Sequence, residues 1–300
     1  MNGASLVRLR AYAKVNYALE VGGVRFDGYH DVRTVMQSVS LFDEVEIERT
    51  TGEGLELVVE PEDAEVGEPE RNTVHRAWSL LQSVCGTKLP VRVRLRKGIP
   101  AGSGLGGASA DAAAVLVGLD EAFGLGLGTI GAREVGARIG ADVPFCVSGG
   151  TALAEGIGEV LREISPPPGH HLVLARPSRG ASTAAIYEGY DLLPASGETC
   201  VEPVLDALDS GSLERLGGSV GNALAPVTKS LVPEVEEYEE SLREGGALGA
   251  SMSGSGTAVF GIFGSWTAAS EAATRIRAPF CGVYEPLPCG VEKIPSRDGS

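Results

Sequence analysis

The chain has 300 residues, 43% of them hydrophobic, and a formal net charge of -15. That length and apolar content allow a packed core and roughly one to three domains, with two the expectation. The acidic balance argues against nucleic acid as a partner, since neutralising its phosphates needs a basic face; a phosphorylated small molecule needs only a few local cations and a helix N-terminus.

In chain order, Leu6 to Tyr12 and Val15 to Val21 are rich in β-branched and aromatic residues and predict extended structure. Asp27-Gly28 is a turn signal, and Val32 to Leu41 reads as another strand. Val45 to Glu48 and Leu55 to Val59 alternate with period two, and the acidic segment Glu60 to Glu70 reads as a solvated loop. From Asn72 a helix is predicted, because Val74, Ala77, Trp78, Leu81 and Cys85 share one face. Val91 to Arg96 alternates as a half-buried strand and runs into the glycine-rich Ile99 to Gly107. An alanine-rich helix is expected from about Ser109 to before Gly124, and a further helix over Gly131 to Ile139. Thr151 to Glu155 and Glu159 to Ile164 flank Gly156-Ile157-Gly158 in a hairpin pattern.

Pro166-Pro167-Pro168 stiffens the chain and is the predicted linker. It divides the sequence into expected units of 1–165 and 169–300. Beyond it come a strand at Leu172 to Ala175, several helical stretches, and a strand pair at Ala247 to Met252 and Thr257 to Phe263. A helix after Trp266 and a strand near Val283 follow, which makes the class α+β. Five scattered cysteines without CxxC spacing predict free thiols rather than a disulfide framework or a zinc site. With neither a signal-peptide pattern nor an apolar run of about 18 residues, a soluble cytoplasmic protein without membrane partners is expected.

The segment Gly102 to Gly107 is the most informative. Glycines let backbone N–H groups approach an anion closely, and the following helix directs its positive dipole end to the same place. Ser109, at the predicted helix start, can cap the helix or touch phosphate or metal. Gly102-x-Gly104-x-x-Gly107 also matches a dinucleotide fingerprint, but no acid stands between Phe123 and Arg133, where a ribose ligand would be needed. A Walker A ending in Gly-Lys-Ser/Thr is absent, as are HRD and DFG.

Three motifs carry a resemblance. Pro100-x-x-x-Gly104-Leu105-Gly106-Gly107-Ala108-Ser109-Ala110-Asp111-Ala112-Ala113 resembles the second motif of the GHMP kinases, the superfamily of galactokinase, homoserine kinase, mevalonate kinase and phosphomevalonate kinase. Ala11 to Asn16 is similar to the first motif, and Met252 to Thr257 to the third. Lys14-Val15-Asn16, Arg25 to His30 and Gly140 to Phe145 are similar to the branch that phosphorylates the 2-hydroxyl of diphosphocytidyl-methylerythritol in non-mevalonate isoprenoid synthesis. The resemblance spans about residues 8 to 285.

It implies a two-domain fold with a cleft between an N-terminal ATP-binding unit and a C-terminal substrate-side unit. ATP and Mg2+ are the implied cofactors, with no protein metal ligand assigned. Lys14 and Asp142 would flank the acceptor hydroxyl; on a strand, Lys14 and Asn16 face the same way. Asn72 and Lys97 would contact the nucleotide, and Pro100, Gly102, Gly104, Gly106, Gly107 and Ser109 would hold its phosphates. Tyr29 and His30 would recognise the cytidine end, Tyr187 would close its other side, and Thr183 and Asn16 would lie near the substrate. Ser253 to Gly256 would shape the substrate side. Simpler readings stand beside these: Asn72 as a helix cap, Lys97 as a strand-end charge, Asp142 as a turn or cap carboxylate, Tyr187 as a core aromatic. Ala108 and Ala110 replace a glycine and a serine of the motif, the second removing a hydroxyl near phosphate or metal. Asp111 reads equally as a metal helper or a solvated helix carboxylate. Another GHMP kinase, for homoserine, mevalonate or a sugar, is the alternative. A monomer or weak homodimer is expected.

Overall fold

The computed structural model describes residues 6–61, 72–194 and 200–295, so most of the expected loop at 60–70 lies outside the described residues. The first half opens with β1 (Leu6–Val24) and β2 (His30–Arg49), two long antiparallel strands joined through the turn at Asp27-Gly28. The runs predicted separately at 32–41 and 45–48 are one strand. β3 (Leu55–Glu60), α1 (Thr73–Cys85) and β4 (Val91–Arg96) follow. In β4, Val91, Val93 and Leu95 are buried, while the arginines between them stand directly opposite glutamates of β2. Arg96 meets Glu44 at 2.6 Å, Arg94 meets Glu46 at 3.1 Å and Arg92 meets Glu48 at 3.3 Å. Each such exposed cross-strand pair contributes only about 0.2–1 kcal/mol, but together they fix the register.

Next come α2 (Gly107–Phe123), α3 (Gly128–Ala137), α4 (Val143–Ser148), β5 (Thr151–Glu155) and β6 (Val160–Glu163). α2 starts two residues before the predicted Ser109, and α3 three before Gly131. Residues 110–116 of α2 are all buried, so this helix sits inside the first core, between α1, α4 and the sheet. α4 lies outside the predicted helices; Asp142, read as a turn or cap carboxylate, stands at its N-cap, and Pro144 lies in its first turn, where a missing N–H costs nothing.

The second half comprises β7 (His171–Arg176), α5 (Thr183–Tyr190), α6 (Val201–Asp209), α7 (Leu213–Ser219), β8 (Gly221–Asn222), α8 (Ala225–Leu231), α9 (Glu234–Glu244), β9 (Gly249–Met252), β10 (Val259–Phe263), α10 (Trp266–Arg275), β11 (Phe280–Tyr284), β12 (Pro286–Leu287) and β13 (Val291–Ile294). β11, β7, β10 and β9, in that order, form an antiparallel sheet over a second apolar core. The chain passes from one sheet to the other at Pro166 to Pro168, where the sequence marks a linker. It does not stay there. β8, β12 and β13 return to the first sheet, and α6 and α7 pack on the first core. The segment 169–300 therefore adds strands and helices to the first half as well as building the second sheet.

This return places the site. Along one edge of β1, residues 8–11 pair with β13 and residues 18–19 with β8. Between them the edge is taken by other partners: the Lys14 N–H donates to the carbonyl of Leu105 at 2.9 Å, and the Asn16 N–H to Ser253 Oγ at 3.3 Å. Register shifts against β2 bracket the same stretch, between Tyr12 and Ala13 and between Asn16 and Ala18. Such bulges re-aim side chains beside functional sites.

Candidate active site

A cavity of about 460 Å³ lies where β1, the 99–107 loop, the start of α4, the β5–β6 turn, α5 and the 253–256 loop meet. Lys14 is 4% exposed within it. Its Nζ donates to Asn16 Oδ1 at 2.7 Å and lies 3.4 Å from Asp142 Oδ2. Asn16 is held in turn by Thr34, whose hydroxyl accepts from Asn16 Nδ2 at 2.8 Å. Asp142 stands at the N-cap of α4 but makes no side-chain cap bond. Its carboxylate, about one-third exposed, faces Lys14 instead, so capping does not account for this residue.

The glycine loop and the third motif interlock. Gly104 has φ +78°, and a Cβ there would sit 2.1 Å from the carbonyl oxygen of Ser253; one on Gly106, φ +76°, would sit 2.9 Å from Lys14 Cγ. Ser253 Oγ donates to the Gly104 carbonyl at 3.0 Å, and Asn222 Nδ2 bonds the carbonyls of Met252 and Gly254 at 2.9 and 2.8 Å. The two loops thus touch backbone to backbone, which only glycine allows. Sequence reading missed Asn222 and Thr34, which belong to no motif.

Of the residues expected at the nucleotide, Asn72, Lys97, Pro100, Gly102, Gly104, Gly106, Gly107 and Ser109 all line this cavity. Asn72 also caps α1, accepting from the Val74 N–H at 2.8 Å, so the cap reading holds for a residue that lines the cavity as well. Lys97 is not a solvated strand-end charge: its Nζ lies 2.5 Å from Asp43 Oδ2 and 2.6 Å from Asp111 Oδ2. Asp111 is likewise no solvated carboxylate, being 3% exposed. Burial, followed by the negative charge of Asp43, pushes its carboxyl well above the ordinary range. Burial pulls the Lys97 amine down, but the two carboxylates outweigh it and hold it above its usual value. Ala110 is fully buried in the first core, so the hydroxyl missing there would not have faced phosphate.

On the acceptor side, Asn16, Thr183 and Tyr187 line the cavity. The Thr183 and Ser255 hydroxyls are 2.9 Å apart, joining α5 to the third motif. Tyr29 and His30 are not among the lining residues. Tyr29 is 61% exposed. The His30 ring packs on that of Tyr187, centroids 5.0 Å apart, with its Nε2 2.7 Å from Asp191 Oδ1. Both residues therefore lie beyond the cavity lining, and His30 is connected to it through Tyr187.

Among the described residues no group of three or more His, Cys, Asp or Glu side chains could hold a metal ion. The half-buried Ser109 hydroxyl lines the cavity at the start of α2, a neutral oxygen of the kind that suits magnesium. No helix of the described residues is long and apolar enough to cross a membrane.

The model for the GHMP kinases N terminal domain matches residues 72–150, and that for GHMP kinases C terminal matches 204–280. A 4-diphosphocytidyl-2-C-methyl-D-erythritol kinase from Caldicellulosiruptor bescii is 40% identical over 271 residues, which is 90% of this chain and 94% of that protein. A crystal structure of a 4-(cytidine 5'-diphospho)-2C-methyl-D-erythritol kinase superposes with a TM-score of 0.75 at 33% identity, covering 93% of this chain and 99% of the other. The homoserine kinase of Cytophaga hutchinsonii gives a TM-score of 0.80, with 98% and 99% covered, but at 19% identity that likeness speaks for the fold alone. The chain belongs to the GHMP kinases and, within them, to the 4-diphosphocytidyl-2-C-methyl-D-erythritol kinase family.

Proposed function

We propose that the cavity transfers the γ-phosphoryl group of ATP to the 2-hydroxyl of 4-diphosphocytidyl-2-C-methyl-D-erythritol, with Lys14 and Asp142 on either side of the reacting oxygen. The observation that carries this reading is the 3.4 Å approach of a buried ammonium to a carboxylate with no other structural duty, beside the glycine loop. The acceptor oxygen forms a bond to the γ-phosphorus as the bond to the β–γ bridging oxygen breaks; its proton passes to Asp142, and ADP leaves. Lys14, held by Asn16, orients Asp142 and offsets negative charge on the transferring group. The amides of Gly104 to Gly107 and the N-terminus of α2 cradle the phosphates, while Asn72 and Lys97 adjoin the base and ribose. Magnesium, when bound with the nucleotide, neutralises phosphate charge.

Tyr29, His30 and Tyr187 take the cytidine end and Thr183 the polyol side. Residues 1–165 supply the nucleotide side of the cleft together with Lys14, Asn16, Asp142, Tyr29 and His30, and 169–300 add Thr183, Tyr187 and the 253–256 loop on the acceptor side. The enzyme acts in the cytoplasm as a monomer or weak homodimer. Purified protein should form ADP from ATP and magnesium only when the diphosphocytidyl substrate is added. Equal turnover with homoserine, mevalonate or a sugar would reject this assignment.

A further inference from the structure

We propose that Asp43, which lies outside the cavity and in no motif, is a positioning residue for ATP: it clasps shut the two ends of the phosphate-binding loop. Asp43 is 0% exposed, on β2. Its Oδ1 accepts the backbone N–H of Gly98 at 2.6 Å and of Ile99 at 2.8 Å, while its Oδ2 lies 2.5 Å from Lys97 Nζ. One buried carboxylate therefore holds three consecutive residues where the chain leaves β4 and enters the loop. Lys97 continues the connection to Asp111 Oδ2 at 2.6 Å, in the second turn of α2, where the chain has left the loop. The segment between these anchors, 100–107, carries the glycines that line the cavity.

The arrangement is expensive unless it serves binding. Burying two carboxylates with one ammonium carries a desolvation penalty that apolar side chains of the same size would avoid. What the clasp supplies is a loop whose ends are fixed before nucleotide arrives, so less ordering remains to be done on binding. It also fixes Lys97, which cannot turn toward a ligand without leaving one of its carboxylates. The loop touches β2 closely at this point: a Cβ on Gly98 would lie 2.4 Å from the carbonyl oxygen of Phe42. Asp43 reaches the nucleotide through these groups and does not touch it.

The inference rests on ATP being the bound nucleotide, so wild-type turnover of ATP with the acceptor is measured first; its absence rejects the functional assignment and leaves the clasp unaddressed by kinetics. Given an active wild type, Asp43→Asn keeps an oxygen for the two amides and removes the charge that holds Lys97. It should raise the KM for ATP about tenfold, the scale of one lost charge-assisted hydrogen bond, with kcat and the KM for the acceptor within about twofold. A residue that merely held the fold together would lower the melting temperature or the active fraction and leave the KM for ATP where it was; that result overturns the proposal.

Amide hydrogen exchange on the wild type covers the case in which the variant does not fold. The Gly98 and Ile99 amides should be protected in the absence of nucleotide, and ATP should add protection mainly at 102–107. Exchange at 98 and 99 as fast as across the glycine loop, slowed only by ATP, would mean that no clasp exists beforehand and would equally overturn it.

Discussion

Replacing Asp142 with asparagine isolates the proposed proton acceptor, because the side chain keeps its shape and has no capping bond to lose. At the observed 3.4 Å from Lys14 the charge–charge attraction is about 5 kcal/mol at an effective dielectric of 20. Asp142 is about one-third exposed, so screening brings this toward the roughly 1 kcal/mol expected in water. Taking an intermediate value of about 3 kcal/mol, together with loss of the proton acceptor, kcat should fall about 10²- to 10³-fold. The KM for ATP should not rise, because the substitution leaves Lys14 with less opposing charge. An assay coupling ADP release to NADH oxidation, at saturating acceptor, measures both constants. Retention of more than about a tenth of wild-type kcat, or a rise in KM with kcat intact, would refute the assigned role.

Three further outcomes are expected. Gly104→Ala forces a Cβ onto the Ser253 carbonyl at positive φ; strain and overpacking together should cost about 2–5 kcal/mol, read as a lower midpoint in urea. Tyr29→Ala should raise the KM for the diphosphocytidyl substrate at least about fivefold, the lower end of base–aromatic stacking, with the KM for ATP unchanged; an unmoved acceptor KM would count against cytosine recognition there. His170 is held below the usual imidazole range by burial, so the folded protein resists its protonation while the unfolded chain does not. Its contribution is present above about pH 6.5 and lost as pH falls through the folded value; thermal melts at pH 7.5 and 5.5 should show the wild type losing more stability than His170→Asn.

The glycine loop was legible in the sequence because its chemistry is local: glycines after an alternating strand, then an alanine-rich helix. Lys14 and Asn16 were singled out by the first family motif, and a strand's period of two added only that both face one side. Asp142 was identified only through the family motif. The Val143-Pro144 that follows it left a turn and a helix cap both open, since proline suits a turn and a first helical turn alike, and α4, six residues long, shows no period of its own. For Lys97 and Asp111 a solvated reading stood beside the functional one, because their common partner, Asp43, comes from a distant strand and no local pattern announces it; burial and pairing remove the solvated reading. Tyr29 and His30 were expected directly at the substrate, but the turn that carries them leaves both outside the cavity lining. β8, β12 and β13 are two to four residues long, too short for any period to show.

The return of β13 to β1 has a consequence for synthesis on the ribosome. Residues 8–11 of β1 are made well before their partners at 291–294, which follow about 280 residues later. Until then the stretch of β1 that β13 covers offers its own amides and carbonyls to any other strand that meets it, a known route to aggregation. A nascent chain halted after β11 should therefore be far more prone to coalesce than one allowed ten residues more.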